Sequence, residues 1–598
     1  MLVSLEQVAN KFFDYVICGG GTAGLTLAVR LSEDTDKSVL VLEAGGSHID
    51  DMSILRPASW GTHFGNDTQC WAYKTLDQYN RGKGLGGSSG INFMCWTKPP
   101  ADEIDDIERL GNPGWNWANQ EKYLSRTEGF IPPSVDVQKQ NNMHLDTWRI
   151  GKTGPLKVAY PGTIPEGERK VQQTLLNAGL PVANCPLNGD PTGVFFSPCT
   201  YDPNTHTRSY ATTAHYLPCR ERDNLFILIG ASANRVLTET TDNGKETVIA
   251  VEFEYSDQTC AVNVRKEAIL SAGSLQSPHL LELSGIGQKG VLAKIGVPQK
   301  VDLPGVGENV QEHYHVGVAY ELRDDVDFDT VDQLRDPSVL AKHLQLHASG
   351  TGLFTMGIIG FAFVPLYMIS DKADAIYKTI EEKITTNKDM YPPGLYEQYK
   401  VQLERLRKGA PGCEFITFPG YMSATKPPVE GKRYVSIISA MNHCFSRGVI
   451  HSASVDPRKD PEMDPRYFEE SVDLDIFCEM AKFARGLAQV SPLKDMIAHE
   501  LNPGSEIQNE AQIRDWVKNS FMSTWHTASS CSMLPRENGG VVDPSLKVYG
   551  TNNLRVVDLS VLPLHFASHP QSTVYAIAEQ AADIIKGKFN SSDAGAVD

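Results

Sequence analysis

Cysteine is present but in no useful pattern. The 598-residue chain has 11 cysteines, an odd number, and no two stand as C-x-x-C. A disulfide framework or a structural zinc site is therefore not expected, and the thiols read as free side chains of a reducing compartment. Positive charge is also short. Lys and Arg total 55 against 73 Asp and Glu, a net charge of −18. That balance excludes a nucleic-acid backbone or an anionic membrane surface as partner. Long apolar runs are missing too. The uncharged stretch Ala348 to Ser370 is broken by Gly350, Gly352, Gly357, Gly360 and Pro365, so it reads as a bent, buried strand pair rather than a membrane helix. No secretory signal shows in Met1 to Phe13, and Gly595-Ala596-Val597-Asp598 is not a peroxisomal address. An intracellular, most simply cytoplasmic, location is the expectation. Without a signal, the glycosylation patterns Asn66-Asp67-Thr68 and Asn590-Ser591-Ser592 carry no weight. Repeats and low-complexity linkers are lacking as well.

What remains is an ordinary globular composition, 41% hydrophobic and 21% charged, in a chain long enough for about four domains. Residues 12–45 read as strand, turn, helix, strand. Gly19-x-Gly21-x-x-Gly24 breaks the first strand, and Glu43 ends the next. Glycines so placed let a pyrophosphate approach a helix N-terminus, and the acid can accept from a ribose diol. This predicts a dinucleotide site without separating NAD from FAD. A second glycine-rich segment, Arg81 to Asn92, is too glycine-dense for a regular element; exposed backbone of that kind suits a flat ring or a diphosphate, or simply a mobile loop.

Further along, Asn224–Ile229 and Val248–Tyr255 read as strands. In the second, Ile249, Val251, Phe253 and Tyr255 form the apolar face. Residues 371–411 read as a charged helical hairpin, either a solvated face or a cover over an entrance. Residues 472–520 read as helical, Leu554 to Asp558 as a strand, and Pro570 to Lys586 as a helix. Two histidines, His526 after Trp525 and His569 before Pro570-Gln571, flank that late strand. Spacing alone leaves them structural or catalytic.

The Arg81–Asn92 segment, Gly273 to Gly287, Leu303 to His313, and Ser446-Arg447-Gly448 with Asp456-Pro457 together resemble the glucose–methanol–choline (GMC) oxidoreductase family. The likeness runs from residue 12 to about 587. It implies an α/β fold, with a Rossmann-like FAD-binding domain interleaved with an α+β substrate domain built on an antiparallel sheet. The expected boundaries are 1–155, 206–313 and 525–598 for the first and 156–205 and 314–524 for the second. The implied cofactor is FAD. It is expected to be non-covalent, because the first signature has no histidine for attachment.

By the resemblance, Thr22, Ala23, Glu43, Ser88, Asn92, Phe93 and Cys95 touch FAD, and Ala233 meets the adenine through its backbone. Gly19, Gly21, Gly24, Arg81, Gly86, Gly87, Met94, Trp525, Asp558, Leu559, Pro570 and Gln571 complete the cofactor-binding candidates. Phe93, Met94, Phe361 and Phe363 are candidates for an apolar pocket wall. His526 and His569 fall on the family's catalytic pair: His526 as the base for a hydroxyl proton, His569 as hydrogen-bond partner of the alcohol oxygen, while flavin N5 takes the hydride. His565 does not match and is read as structural or peripheral. No metal is expected.

The resemblance thus implies oxidation of a primary alcohol, aromatic or aliphatic, with O2 as acceptor. A dehydrogenase using a quinone-type acceptor and a hydroxynitrile lyase with non-redox flavin are the alternatives. The partners are a small alcohol and an electron acceptor, with no nucleic acid and no membrane; the sequence leaves the oligomeric state open.

Overall fold

The computed structural model describes residues 1–589 apart from 75–77, 142, 144 and 146. The second glycosylation pattern and the chain end therefore lie outside the described residues.

The first sheet starts where the sequence places it. β1 (Phe12–Cys18) and β2 (Val39–Glu43) flank α1 (Thr22–Leu31). All five residues of β2 are buried, as befits a strand covered on both faces. Adding β3 (Leu225–Ile229), β4 (Ala231–Thr240), β5 (Glu246–Tyr255) and β6 (Gln258–Leu270) gives the order β3-β2-β1-β6-β5-β4, with the short strand Leu554–Val556 also on β6. Pairing is parallel from β3 to β6 and between β6 and Leu554–Val556, and antiparallel across β4, β5 and β6. The ends of the chain meet here. The helix Gln571–Ile585 packs on α1 and on the helix Trp117–Thr127.

The apolar face expected for β5 needs one correction. Val248, Ala250, Val251 and Phe253 are buried, while Ile249 is 39% exposed. Ladder partners Leu237 and Thr238 pair with Ala250 and Val248, leaving Ile249 as the extra residue of a bulge. A bulge reverses the alternation at that point.

The second sheet holds β7 (Tyr314–Leu322), β8 (Gly360–Val364), β9 (Cys413–Phe418), β10 (Tyr434–Met441), β11 (Ile497–Asn502) and β12 (Met522–Ser523). Its order is β8-β9-β10-β7-β11, with β12 also on β7, and every pairing is antiparallel. Two expectations fail here. Ala348 to Ser370 supplies one strand, β8, between 3-10 turns; its partner is β9 from further along the chain. The segment 472–520 is not all helix. Ser471–Gly486 and Glu510–Ser520 are helical, but β11 lies between them. It is an edge strand with only Asn502 fully buried, so no period-2 apolar pattern betrays it.

The hairpin at 371–411 is formed by helices Ala373–Thr386 and Leu395–Lys408. The second is more than a solvated face. Its buried Arg405 donates to Asp106 at 2.8 Å and to the carbonyls of Glu103 and His565 at 2.9 and 2.6 Å, pinning it beneath the late histidine segment. No helix among the described residues is long and apolar enough to cross a membrane.

Candidate active site

A cavity of about 570 Å³ runs from the α1 N-terminus, between the two sheets, to the histidine pair. Gly19, Gly21, Thr22, Ala23, Glu43, Arg81, Gly87, Ser88, Asn92, Phe93, Cys95, Ala233, Trp525, His526, Asp558, Leu559, His569, Pro570 and Gln571 all line it. Three candidates do not. Gly24 is a packing glycine, since a Cβ there would stand 2.0 Å from Gly19 O. Gly86 lies behind the wall, its N–H donating to Gly20 O at 2.8 Å. Met94 is fully buried in a cluster with Ala159, Cys199, Tyr201 and Ile359. Of the four wall candidates only Phe93 is in the lining; Phe361 and Phe363 pack in the core behind it. No residue of the 371–411 hairpin is in the cavity lining.

At the dinucleotide end the two glycine-rich turns meet. Gly87, at φ +50, sits where a Cβ would come within 2.8 Å of Gly21 Cα. Glu43 accepts from the N–H groups of Gly20, Gly45 and Gly84 at 2.7, 2.8 and 3.0 Å. Burial pushes its pKa up and those donors oppose it. The carboxylate therefore organises both turns as well as facing the cleft. Asp558 plays a similar part, accepting from Gly273 N–H at 2.9 Å and Ser277 Oγ at 2.6 Å.

Does this end fit FAD? The α1 N-terminus has no side-chain cap and opens on the cavity, leaving N–H groups for a diphosphate. Ser271 and Ser274 also line it, with buried hydroxyls that have no protein partner. Buried polar groups of this kind call for a ligand or water, and the residues fit the group. Sequence reasoning missed both serines, which sit where β6 passes into the following helix.

At the other end the rings of His526 and His569 are 4.8 Å apart, edge to face. Trp525, just before His526, adopts φ +61, a left-handed conformation that costs a bulky residue energy. Glu312 holds this strained turn. It accepts His526 N–H at 2.6 Å and the Thr527 hydroxyl at 2.5 Å. His526 Nδ1 lies 3.1 Å from His313 Nδ1, and His565 Nε2 lies 2.9 Å from His526 O. His565 thus props the backbone of His526. Burial, then the neighbouring His569, His565 and Arg81, push the His526 pKa well below its ordinary value.

His569 is tuned the opposite way. Burial opposes its charge, but Cys95 and Glu414 outweigh burial and hold its pKa well above the ordinary value. Its Nε2 is 2.7 Å from Glu414 Oε1. The pair is therefore tuned in opposite directions, His526 towards the free imidazole and His569 towards the imidazolium. Environments that push two titratable groups apart assign the base and the acid.

Glu312, His313, His315 and Glu414 were missed from the sequence. His315 lines the cavity, with Nδ1 unpartnered and its pKa lowered to about 4 by burial and His569. His313 and His315 stand two apart at the start of β7, and that spacing on a strand was the available signal. Glu414 gave none. The rest of this end is apolar, with Phe64, Phe93 and Trp525 on one side and Ile358, Ile416, Met422 and Ile438 on another. Among the described residues no cluster could hold a metal.

Residues 13–315 and 444–578 match two family models, both described as GMC oxidoreductase. The GMC oxidoreductase family protein Mala s 12 of Malassezia sympodialis is 33% identical, covering 97% of this chain and 93% of that protein. An FAD-dependent oxidoreductase from Chaetomium thermophilum superposes with TM-score 0.87 at 27% identity, covering 96% of this chain and 99% of the other. A fungal aryl-alcohol oxidase superposes with TM-score 0.85 at 28% identity, with the same coverage.

Proposed function

The chain belongs to the GMC oxidoreductase family, an FAD enzyme acting on CH–OH donors, and from that premise we propose that it oxidises a primary alcohol to the aldehyde with O2 as acceptor. The observation that carries the reading is the split histidine pair at the apolar end of the cavity. His526, kept uncharged, takes the hydroxyl proton. His569, its pKa raised by Cys95 and Glu414, donates to the oxygen as negative charge develops there. FAD, when bound, supplies the hydride acceptor. The apolar wall around the pair suits an aromatic or aliphatic group beside the reacting carbon, and the aryl-alcohol oxidase above is a relative of that kind. The FAD is held without a covalent bond, since Arg81–Asn92 contains no histidine. We divide the chain into a cofactor part, 1–155, 206–313 and 525–598, and a substrate part, 156–205 and 314–524, each centred on one sheet.

The test is anaerobic mixing of the holoenzyme with alcohols, sugars and aldehydes, followed by reoxidation with O2 or a quinone dye. Bleaching by primary alcohols and rapid recovery in O2 support the proposal. Recovery with the dye alone identifies a dehydrogenase. Cleavage of a cyanohydrin with no bleaching identifies a lyase.

A further inference from the structure

Cys95 lies in the cavity wall, and Cys199 lies directly opposite it on a neighbouring segment. The two form an antiparallel bridge. Trp96 N–H donates to Pro198 O at 3.1 Å, and Thr200 N–H donates to Met94 O at 2.9 Å. These hydrogen bonds flank the cysteines rather than join them. Residues in such a pair stand about 4.5 Å apart at Cα, side chains close together. A disulfide spans Cα separations of about 4.4–6.8 Å.

The sulfur positions agree with the backbone. Cys95 Sγ is 3.8 Å from Phe93 O. A Cβ on Gly357 would stand 2.9 Å from that same oxygen and 2.5 Å from Cys199 Sγ. Cys199 Sγ itself lies 3.9 Å from Ile358 O, so the two thiols sit on either side of the room that glycine at 357 leaves open. Their exposure differs. Cys95 faces the cavity and interacts with His569. Cys199 is fully buried and off the cavity. A small oxidant entering with the substrate therefore meets Cys95 first.

We propose that Cys95 and Cys199 are a peroxide-sensitive dithiol that closes to a disulfide beside His569 and stops turnover. The oxidant is hydrogen peroxide. The Cys95 thiolate attacks one peroxide oxygen, an S–O bond forms, the O–O bond breaks, and hydroxide leaves, collecting a proton as water. Cys199 then attacks the Cys95 sulfur. The S–S bond forms, the S–O bond breaks, and a second water leaves. Two thiols and one peroxide become one disulfide and two waters, a two-electron exchange. The disulfide removes the Cys95 contact from His569 and ties the cavity wall to the segment behind it. The enzyme's own peroxide can drive the reaction if O2 is the acceptor, and only that source rests on the function proposed above.

The test treats holoenzyme with hydrogen peroxide and follows turnover, with peptide mass spectrometry of Cys95 and Cys199. The expected result is loss of turnover together with a Cys95–Cys199 linked peptide, both reversed by dithiothreitol. Cys199→Ala and Cys199→Ser keep basal turnover but lose reversibility, because Cys95 without its partner proceeds to the sulfinic acid. No linked peptide, a link without loss of turnover, or identical reversible loss in the parent and both variants overturns the proposal. Aerobic turnover with and without catalase separates the two ideas. A link formed by added peroxide but not during aerobic turnover supports the dithiol and counts against O2 as acceptor. Peroxide released during turnover with no link by either route overturns the dithiol alone.

Discussion

Replacing Glu414 with Gln is the sharpest test of how the pair divides its labour. Glu414 is 1% exposed and accepts from His569 at 2.7 Å, with Asn442 Nδ2 at 3.2 Å from its other oxygen. Gln keeps the size and removes the charge. That removes one of the two contacts that outweigh burial at His569, Cys95 being the other, so the His569 pKa falls and its imidazolium is favoured less at neutral pH. A lost donor aimed at developing negative charge costs about 10²–10³ in rate, or about 3–4 kcal/mol. The sign of the pH effect follows. In the parent, His569 has a raised pKa, so its charge persists through neutrality and is lost only as pH rises through that raised value. His526 has a lowered pKa, so it stays a free base until pH falls well below 6.5. The parent rate should therefore be flat through neutrality. In Glu414→Gln the rate should rise towards acid, where His569 regains its proton. The assay is stopped-flow flavin reduction by alcohol under anaerobic conditions across about pH 5 to 9. A variant with the parental rate and the parental pH profile would refute the assignment of His569 as the charged partner.

Three further outcomes are expected. His526→Ala should bind FAD normally and lose about 10²–10⁴ in flavin reduction; reduction at the parental rate would show that another group takes the proton. Glu43→Ala strands the N–H groups of Gly20, Gly45 and Gly84, at about 1–3 kcal/mol for each left unsatisfied, and should be purified with little flavin and a lowered Tm. Gly24→Ala places a methyl 2.0 Å from Gly19 O and should unfold earlier in a thermal melt whether or not FAD is added, because the clash lies behind the cleft and not in it.

Some elements were legible because their signal is local. The Gly19–Gly24 turn, the buried run of β2, and Glu43 at its end are read from adjacent residues and reappear as a strand, helix and strand around the cleft. The His526 and His569 positions came from motif resemblance, and the structure brings their rings together across 43 residues of chain. Other features had no local signal. Ile249 reads as buried until its bulge is known. β11 has too few buried residues to show a period. The β8 segment looked self-paired because composition reports burial but not partner. Met94 sits inside a cofactor-like motif yet points into the core, where φ +67 turns the chain.

The sequence alone determined the glycine-rich turn and the family, because each depends on residue type at fixed spacing, and the resemblance then singled out the two histidines. It could not determine their charge. His526 and His569 are the same side chain with the same intrinsic pKa; what separates them is Cys95 and, from β9, Glu414 beside His569, and the burial of His526 among other imidazoles. Desolvation and a carboxylate at 2.7 Å are properties of packed neighbours, and only the tertiary structure supplies those.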